Sequence, residues 1–439
     1  MKAVPAFFVA GRQAGQLAAK IEVLGKSSMA TVREKTTQGR WGDSRATGQA
    51  SRGSAVVRCI RGPAAREVVF LCRPAAAAGA QGQAEAAYRT LLDALNEEGL
   101  SPATIVSETV FCAAIEADWK AAVAGRRRVF GESGNPSQAP PTTWIGQRPL
   151  DNGDQVQIAA LAVAPHRPEL CSSTSMSQIP LCACEVCRAG ARGRLGRIGD
   201  ERHLHAANIV GAGRGGFEEV YGMFRVAEQL LGEAGMTFHD VIRTWIYLRD
   251  IDRDYDALNK ARRAFFRDRG IERRPASTGV QGVPGSSAHD FSMALYAVKA
   301  SRPLDAVLIS TPTLNEAWTY GAEFSRGLRV ADANKVALYI SGTASIDEAG
   351  QTVHVGDLPA QADRMLHNVE SLLAAEGATF ADVVSAVTYV KRPGDAASLR
   401  KMFRERGIDG FPHALVEAPL CRRELLCETE VVAVLPLAP

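Results

Sequence analysis

Hydrophobic positions along this chain fall into a pattern that occurs three times. In "GQAEAAYRTLLDALNEEGLSPATIVSETVFC" (82–112), "GGFEEVYGMFRVAEQLLGEAGMTFHDVIRTWIYL" (215–248) and "DLPAQADRMLHNVESLLAAEGATFADVVSAVTYV" (357–390), apolar residues first recur every three or four positions. In the third stretch these are Met365, Val369, Leu372 and Leu373. That spacing predicts an amphipathic helix. Each helix should stop at a glycine (Gly99, Gly235, Gly377), which reaches a left-handed C-cap without steric cost. Ser101, Thr237 and Thr379 follow, and then an alternating apolar run that predicts a strand.

The flanks repeat as well. A second helical pattern appears in "DWKAAVAGRRRVFG", "YDALNKARRAFFRDRGI" and "AASLRKMFRERGI". A proline (Pro141, Pro275, Pro412) then precedes a strand, a loop and a last apolar strand. Strands also precede each first helix, in "REVVFLCRP", "HLHAANIVGAG" and "KVALYISGTAS". The order β-β-α-β-α-β-β, three times over, is that of an α+β protein with helices on one face of each mixed sheet. The expected division is a basic or disordered tail over 1–55, a first, structural domain over 56–165 and a Cys-rich linker over 166–200. A second domain over 201–302 and a third, catalytic domain over 303–439 complete it.

Composition narrows the classes of function. The chain has 439 residues, 46% hydrophobic and 23% charged, with a net charge of +3. A balance so near neutral argues against a nucleic-acid or membrane-surface partner, and no apolar run approaches a membrane span. The nine cysteines do not form a disulfide framework, which points to a reducing cytoplasm. The basic start of the chain reads as a tail, or as sequence upstream of a start at Met29, rather than a signal peptide.

The last strand, "CETEVVAV", poses a question: why does a core-like run carry Glu428 and Glu430? Both point to one face of a strand, with Cys427 and Thr429 on the other. Either they are solvent-facing, or one is a buried acid whose pKa is raised for use.

The glycine–threonine turn, "DVVSAVTYVKRPGD", "RRAFFRDRGIERRPAS" and "CETEVVAV" resemble the Rid/YjgF family. The resemblance implies three tandem Rid-like (chorismate-mutase-like) domains. They would form intramolecularly the trimer that family members usually build from three chains, with clefts between units and higher assembly left open. Family deaminases bind the substrate carboxylate with an arginine just after the proline. The matching positions here are Thr142 or Thr143, Ser277 and His413. Their water-activating glutamate survives only as Glu428, with Gln157 and Ser292 in the other copies.

The second and third copies resemble a narrower group, the chorismatases. The residues that carry this are "VIRTWIYLRDIDRDYDALNKARRAFF", "YGAEFSRGLRV", "LYISGTASID…VHVGDLPAQ" and "LCRRELLCETE". That resemblance implies Glu428 as general acid for cleaving an enolpyruvyl ether, with release of pyruvate. Cys421, seven residues earlier, would help select the product. Arg243 and Arg326 would bind the carboxylates of a cyclic dicarboxylate, with Tyr320 and Gly342 shaping the pocket. Arg422 and Arg423 beside Cys421 would favour its thiolate. Two other readings stand beside it. One is an imine or enamine hydrolase in which His413, near Glu428, anchors the substrate. The other is a non-catalytic metabolite-binding scaffold.

Cys182, Cys184 and Cys187 form a C-x-C-x-x-C, and Cys171 lies upstream. Four thiolates could close a structural zinc site, with His203 and His205 as substitute ligands; reduced thiols or a redox loop fit the spacing as well. The chemistry expected of Glu428 calls for no cofactor.

Overall fold

A computed structural model describes residues 32–37, 53–131, 139–151, 153–166, 173–176 and 193–437. The first sheet contains β1 (Val32–Thr37), β2 (Ser54–Arg61), β3 (Ala65–Arg73), β4 (Ile105–Cys112), β5 (Thr142–Gly146) and β6 (Val156–Pro165). The second contains β7 (Ser173–Met176), β8 (Gly193–Ile198), β9 (Glu201–Ile209), β10 (Val241–Leu248), β11 (Ala276–Gln281) and β13 (Phe291–Lys299). Between the last two, β12 (Val283–Pro284) leaves this sheet and joins the edge of the first. The third contains β14 (Asp305–Leu308), β15 (Gly327–Ala331), β16 (Val336–Ala344), β17 (Val383–Val390), β18 (His413–Glu417) and β19 (Cys427–Leu435). Helices α1 (Gly79–Glu97) and α2 (Ile115–Phe130) belong to the first unit, α3 (Gly216–Glu233) and α4 (Ile251–Arg269) to the second. The third unit carries α5 (Leu358–Ala374) and α6 (Ala396–Glu405).

The three sheets share one topology. Their central orders are β2-β3-β6-β4-β5, β8-β9-β13-β10-β11 and β15-β16-β19-β17-β18; β1 and β12 extend the first at its two edges, β7 the second and β14 the third. One parallel pair in each (β4 with β5, β10 with β11, β17 with β18) spans the second helix, and the other contacts are antiparallel. Even the irregularities repeat, for the register slips near the start of β4, β10 and β17 at Ile105/Ser107, Val241/Arg243 and Val383/Ser385. The fold is α+β, three times.

Local sequence accounts for these elements. Along α5 the buried residues Leu358, Ala362, Met365, Leu366, Val369, Leu372 and Leu373 form one stripe against the sheet. Asp357 caps its start by accepting the Ala360 N–H at 3.1 Å. Gly99, Gly235 and Gly377 follow their helices at φ +66°, +67° and +73°, where a side chain would be strained. Thr237 and Thr379 then form capping boxes with Asp240 and Asp382, turning the chain into β10 and β17.

Two stretches read as tail or linker hold strands. Val32–Thr37 pairs antiparallel with β2, and both β7 and β8 lie before residue 201. Glycine and arginine in "GRLGRI" blur the alternation of β8, which pairing with β9 supplies instead.

The units close into a ring, each meeting the others in the same way. The loop after β5 lies on β18, where the Leu150 N–H donates to Leu415 O at 2.9 Å. The segment after β11 lies on β5. The loop after β18 lies on β11, with Pro419 O accepting the Gln281 N–H at 3.2 Å. A buried polar knot also ties the units: Lys335 of the third donates to Glu67 of the first at 2.6 Å. Beside it, Glu201 of the second accepts the Ala333 N–H at 2.8 Å. Among the described residues, no helix is long and apolar enough to cross a membrane.

Candidate active site

Strand register fixes the correspondence between copies. Glu428 stands opposite Tyr389, Gln157 opposite Phe111 and Ser292 opposite Tyr247. These three positions are therefore equivalent, and an acid occupies only the third. Glu428 and Glu430 share the inner face of β19 and are both buried, 5% and 7% exposed, so neither is a solvent-facing edge residue.

Around Glu428 the second and third units form a cleft. Tyr255 and Arg262 enter from α4 and Ser277 and Gly279 from β11, while Tyr320, Phe324, Arg326, Gly342, Cys421 and Arg422 come from the third unit. The floor is stitched across the units: the Ser277 N–H donates to Ser341 Oγ at 2.8 Å, and the Gly342 N–H to Thr278 Oγ1 at 3.0 Å. Gly342 has a steric reason to be glycine. A Cβ there would stand 1.9 Å from Glu428 Oε1, so the carboxyl rests where a side chain would otherwise be.

Among the described residues, Glu428 is the one acid lining this cleft. Burial and then the charge of neighbouring Glu430 push its pKa up to about 8, against the opposing pull of Arg326 and Arg243. It is therefore mostly protonated at neutral pH. The surrounding cations are not paired with it. Arg326 donates to Asn315 O at 2.9 Å and lies over the rings of Tyr320 and Phe324. Arg422 donates to Gly350 O at 2.8 Å and lies on Tyr320. Arg262 donates to Asn259 Oδ1 at 2.9 Å, has a buried Nε without a partner, and is lowered in pKa by burial. The acid close to it, Glu323, is engaged by Arg263 and Arg274 instead, at 3.2 and 2.6 Å. Three guanidiniums thus line the cleft beside a mostly protonated carboxyl, surroundings that favour negative charge.

The free space is only about 40 Å³, room for a water or two. Tyr320, 40% exposed, forms the outer wall between Arg326 and Arg422.

Other residues expected in the site lie elsewhere or behave differently. Arg243 faces the centre of the ring, where it donates to Glu430 at 2.8 Å and to Thr278 Oγ1 at 2.5 Å. Trp245 donates to the second oxygen of Glu430 at 2.7 Å. His413 is not near Glu428. Its Nε2 lies 2.8 Å from Thr388 Oγ1, which contacts Thr429, so it occupies the opposite, helix-covered face of the sheet. The Cys421 thiol is not poised as a thiolate. Burial and the nearby Glu428 push it up to about 12, outweighing Arg422 and a hydrogen bond with Tyr255.

Cys171, Cys182, Cys184 and Cys187 lie outside the described residues. His203 instead contacts the Tyr296 hydroxyl at 2.7 Å, and His205 stacks on the same ring at 4.5 Å. Arg262 is the residue that sequence reasoning missed. It lies on the buried stripe of α4, four positions after Leu258, where a charge stands out among Ala261, Phe265 and Phe266.

Residues 319–435 match the family model described as Endoribonuclease L-PSP. A RutC family protein of Pyrococcus abyssi is 30% identical over 98 residues, covering 22% of this chain and 76% of that protein. The chain belongs to the Rid/YjgF family. A 3-hydroxybenzoate synthase of Streptomyces hygroscopicus is 28% identical over 233 residues, 46% of this Rid/YjgF chain and 66% of the relative. The match thus spans just under two thirds of that relative's length. A chorismatase crystal structure superposes with a TM-score of 0.55 at 19% identity, covering 75% of this chain and 93% of that one, a likeness of fold.

Proposed function

We propose that this protein is a chorismatase-like enzyme, a lyase or hydrolase that cleaves the enolpyruvyl ether of a cyclic dicarboxylate in the cleft around Glu428. The observation that carries the reading is a carboxyl held protonated near neutrality among three arginines that it does not neutralise. Likeness to a 3-hydroxybenzoate synthase supports the substrate class.

We infer the following steps. Arg262, Arg326 and Arg422 hold the two carboxylates, each guanidinium offering a planar pair of donors. Glu428 delivers its proton to the terminal methylene of the vinyl ether, where general acid catalysis is needed. Water adds to the resulting oxocarbenium carbon and the hemiketal collapses to the ring alcohol and pyruvate; alternatively a neighbouring ring hydroxyl attacks the ring carbon that bears the ether, whose C–O bond breaks to release pyruvate. The Glu428 carboxylate left behind accepts the proton of that nucleophile and is reset. Cys421, as a neutral thiol beside Glu428, borders the ring and biases which nucleophile reaches it. The site would be carried on an intramolecular pseudo-trimer in the cytoplasm, with a small molecule as its partner and no cofactor in the chemistry.

The test is incubation of purified protein with chorismate, following pyruvate and aromatic products. Glu428→Gln should abolish pyruvate release, and Cys421→Ala should redistribute the products. Well-folded protein that releases no pyruvate refutes the reading. Hydrolysis of small imines in its place would then favour the Rid-type deaminase.

A further inference from the structure

A second cavity, of about 420 Å³, lies where the three units meet, and it shares no lining residue with the cleft. Equivalent positions of each unit line it, among them Ser107, Arg243 and Ser385 at the three register slips. Its walls are mid-strand residues that ordinary core packing would cover, yet Leu161, Trp245, Val387 and Val432 are only partly buried. They face open space inside the ring.

The chemistry of this chamber differs from that of the cleft. Its buried charges are already matched: Arg243 with Glu430 at 2.8 Å, and Lys335 with Glu67 at 2.6 Å. An anion entering would have to break one of these buried pairs, whereas an uncharged guest would not. The walls offer aromatic faces, with Tyr296 and Tyr339 5.8 Å apart and Trp245 alongside Arg243. Among the described lining side chains, two buried polar atoms lack a hydrogen-bond partner, His203 Nε2 and Arg243 Nη1. Arg243 Nη1 is buried without a hydrogen-bond partner, on a side chain 2% exposed. Such an orphan costs free energy unless an acceptor arrives. The volume lies within the range of small-molecule sites, and exposed Ala103 and Arg197 border it, giving a way in.

We propose that the central chamber is a second ligand site, for a neutral, mainly aromatic molecule whose single carbonyl or hydroxyl oxygen accepts from Arg243 Nη1. It is independent of the reaction proposed for the cleft.

The probe is prodan, an uncharged naphthalene ketone whose emission moves to the blue in apolar surroundings. Titration of the full-length protein should give a saturable blue shift with one site per chain. Leu161→Trp, which projects into the chamber from the first unit, should weaken it at least tenfold, and Val387→Trp does the same from the third should the first variant not fold. Gly279→Leu, which fills the cleft, should leave it intact, because a Cβ there meets Leu258 and Tyr255 only at 3.7 and 3.8 Å. Arg243→Lys, which keeps the charge on Glu430 but loses the fork, should weaken binding about tenfold. The proposal is overturned by absence of a saturable shift, by binding not so weakened in the chamber variants, or by binding lost in Gly279→Leu. An Arg243→Lys affinity equal to wild type would overturn the assigned donor.

Discussion

Replacing Glu430 with glutamine tests how the acidity of Glu428 is set. In the native protein Glu430 accepts from Arg243 and Trp245, and its charge helps hold Glu428 protonated. Glutamine removes that charge and leaves the Arg243 cation unmatched, so both changes favour the ionised form of Glu428. Residues two apart on a strand are separated by about 7 Å, and at an effective dielectric of about 20 the like-charge repulsion there is about 2 kcal/mol. That equals about one and a half pH units, which would take Glu428 from about 8 to about 6.5. A general acid works while protonated, so activity is present below its pKa and lost above it. The alkaline limb of kcat/KM, read from pyruvate release, should move toward acid by that amount, with a loss of about fifteenfold at pH 8 and little change at pH 5.5. A limb that stays in place, or moves toward alkali, would refute the electrostatic account.

Three further outcomes are expected. Gly342→Ala should fold normally and lose at least about a hundredfold in kcat/KM: the new Cβ would displace the Glu428 carboxyl, a flexible group rather than backbone, and a misplacement of about 1 Å is that costly. Thermal melting beside the activity assay checks both halves. Arg262→Met should cost about 2 kcal/mol of transition-state binding, about thirtyfold in kcat/KM, while melting temperature holds or rises because a buried, unmatched cation is gone. A fall in both would mark Arg262 as structural. Glu428→Gln should stabilise the fold progressively as pH rises. The native carboxyl binds its proton more tightly folded than unfolded, so its contribution is full below about 4.5 and is lost as pH climbs toward about 8. The gap in melting temperature between variant and native should therefore widen across that window, and a constant gap would contradict it.

Much of this was legible in the chain. Helix periodicity, the closing glycines and the three-fold recurrence are local patterns, and the strand order followed from them. The inward parity of Glu428 also followed, because side chains on a strand alternate faces whatever packs around it. The strand in "GRLGRI" was not legible, since its glycines and arginines lack the alternation that marks a half-buried strand.

The roles of the cations were decided in three dimensions. Local sequence does not show that Arg243 is engaged by Glu430, whereas among the described residues no acid is paired with Arg262. Arg243 and Glu430 are 187 residues apart in sequence and 2.8 Å apart in space. His413 and Glu428 are close in sequence, yet lie on opposite faces of one sheet. Cys421 likewise looks activated beside two arginines until its burial against Glu428 is seen to raise its pKa. Sequence by itself determined the three units and the face on which the acid stands, because both depend on backbone periods of a few residues. Tertiary structure decided which charges meet, how far the acid is desolvated and where the central space opens, because these depend on how three distant segments close on one another.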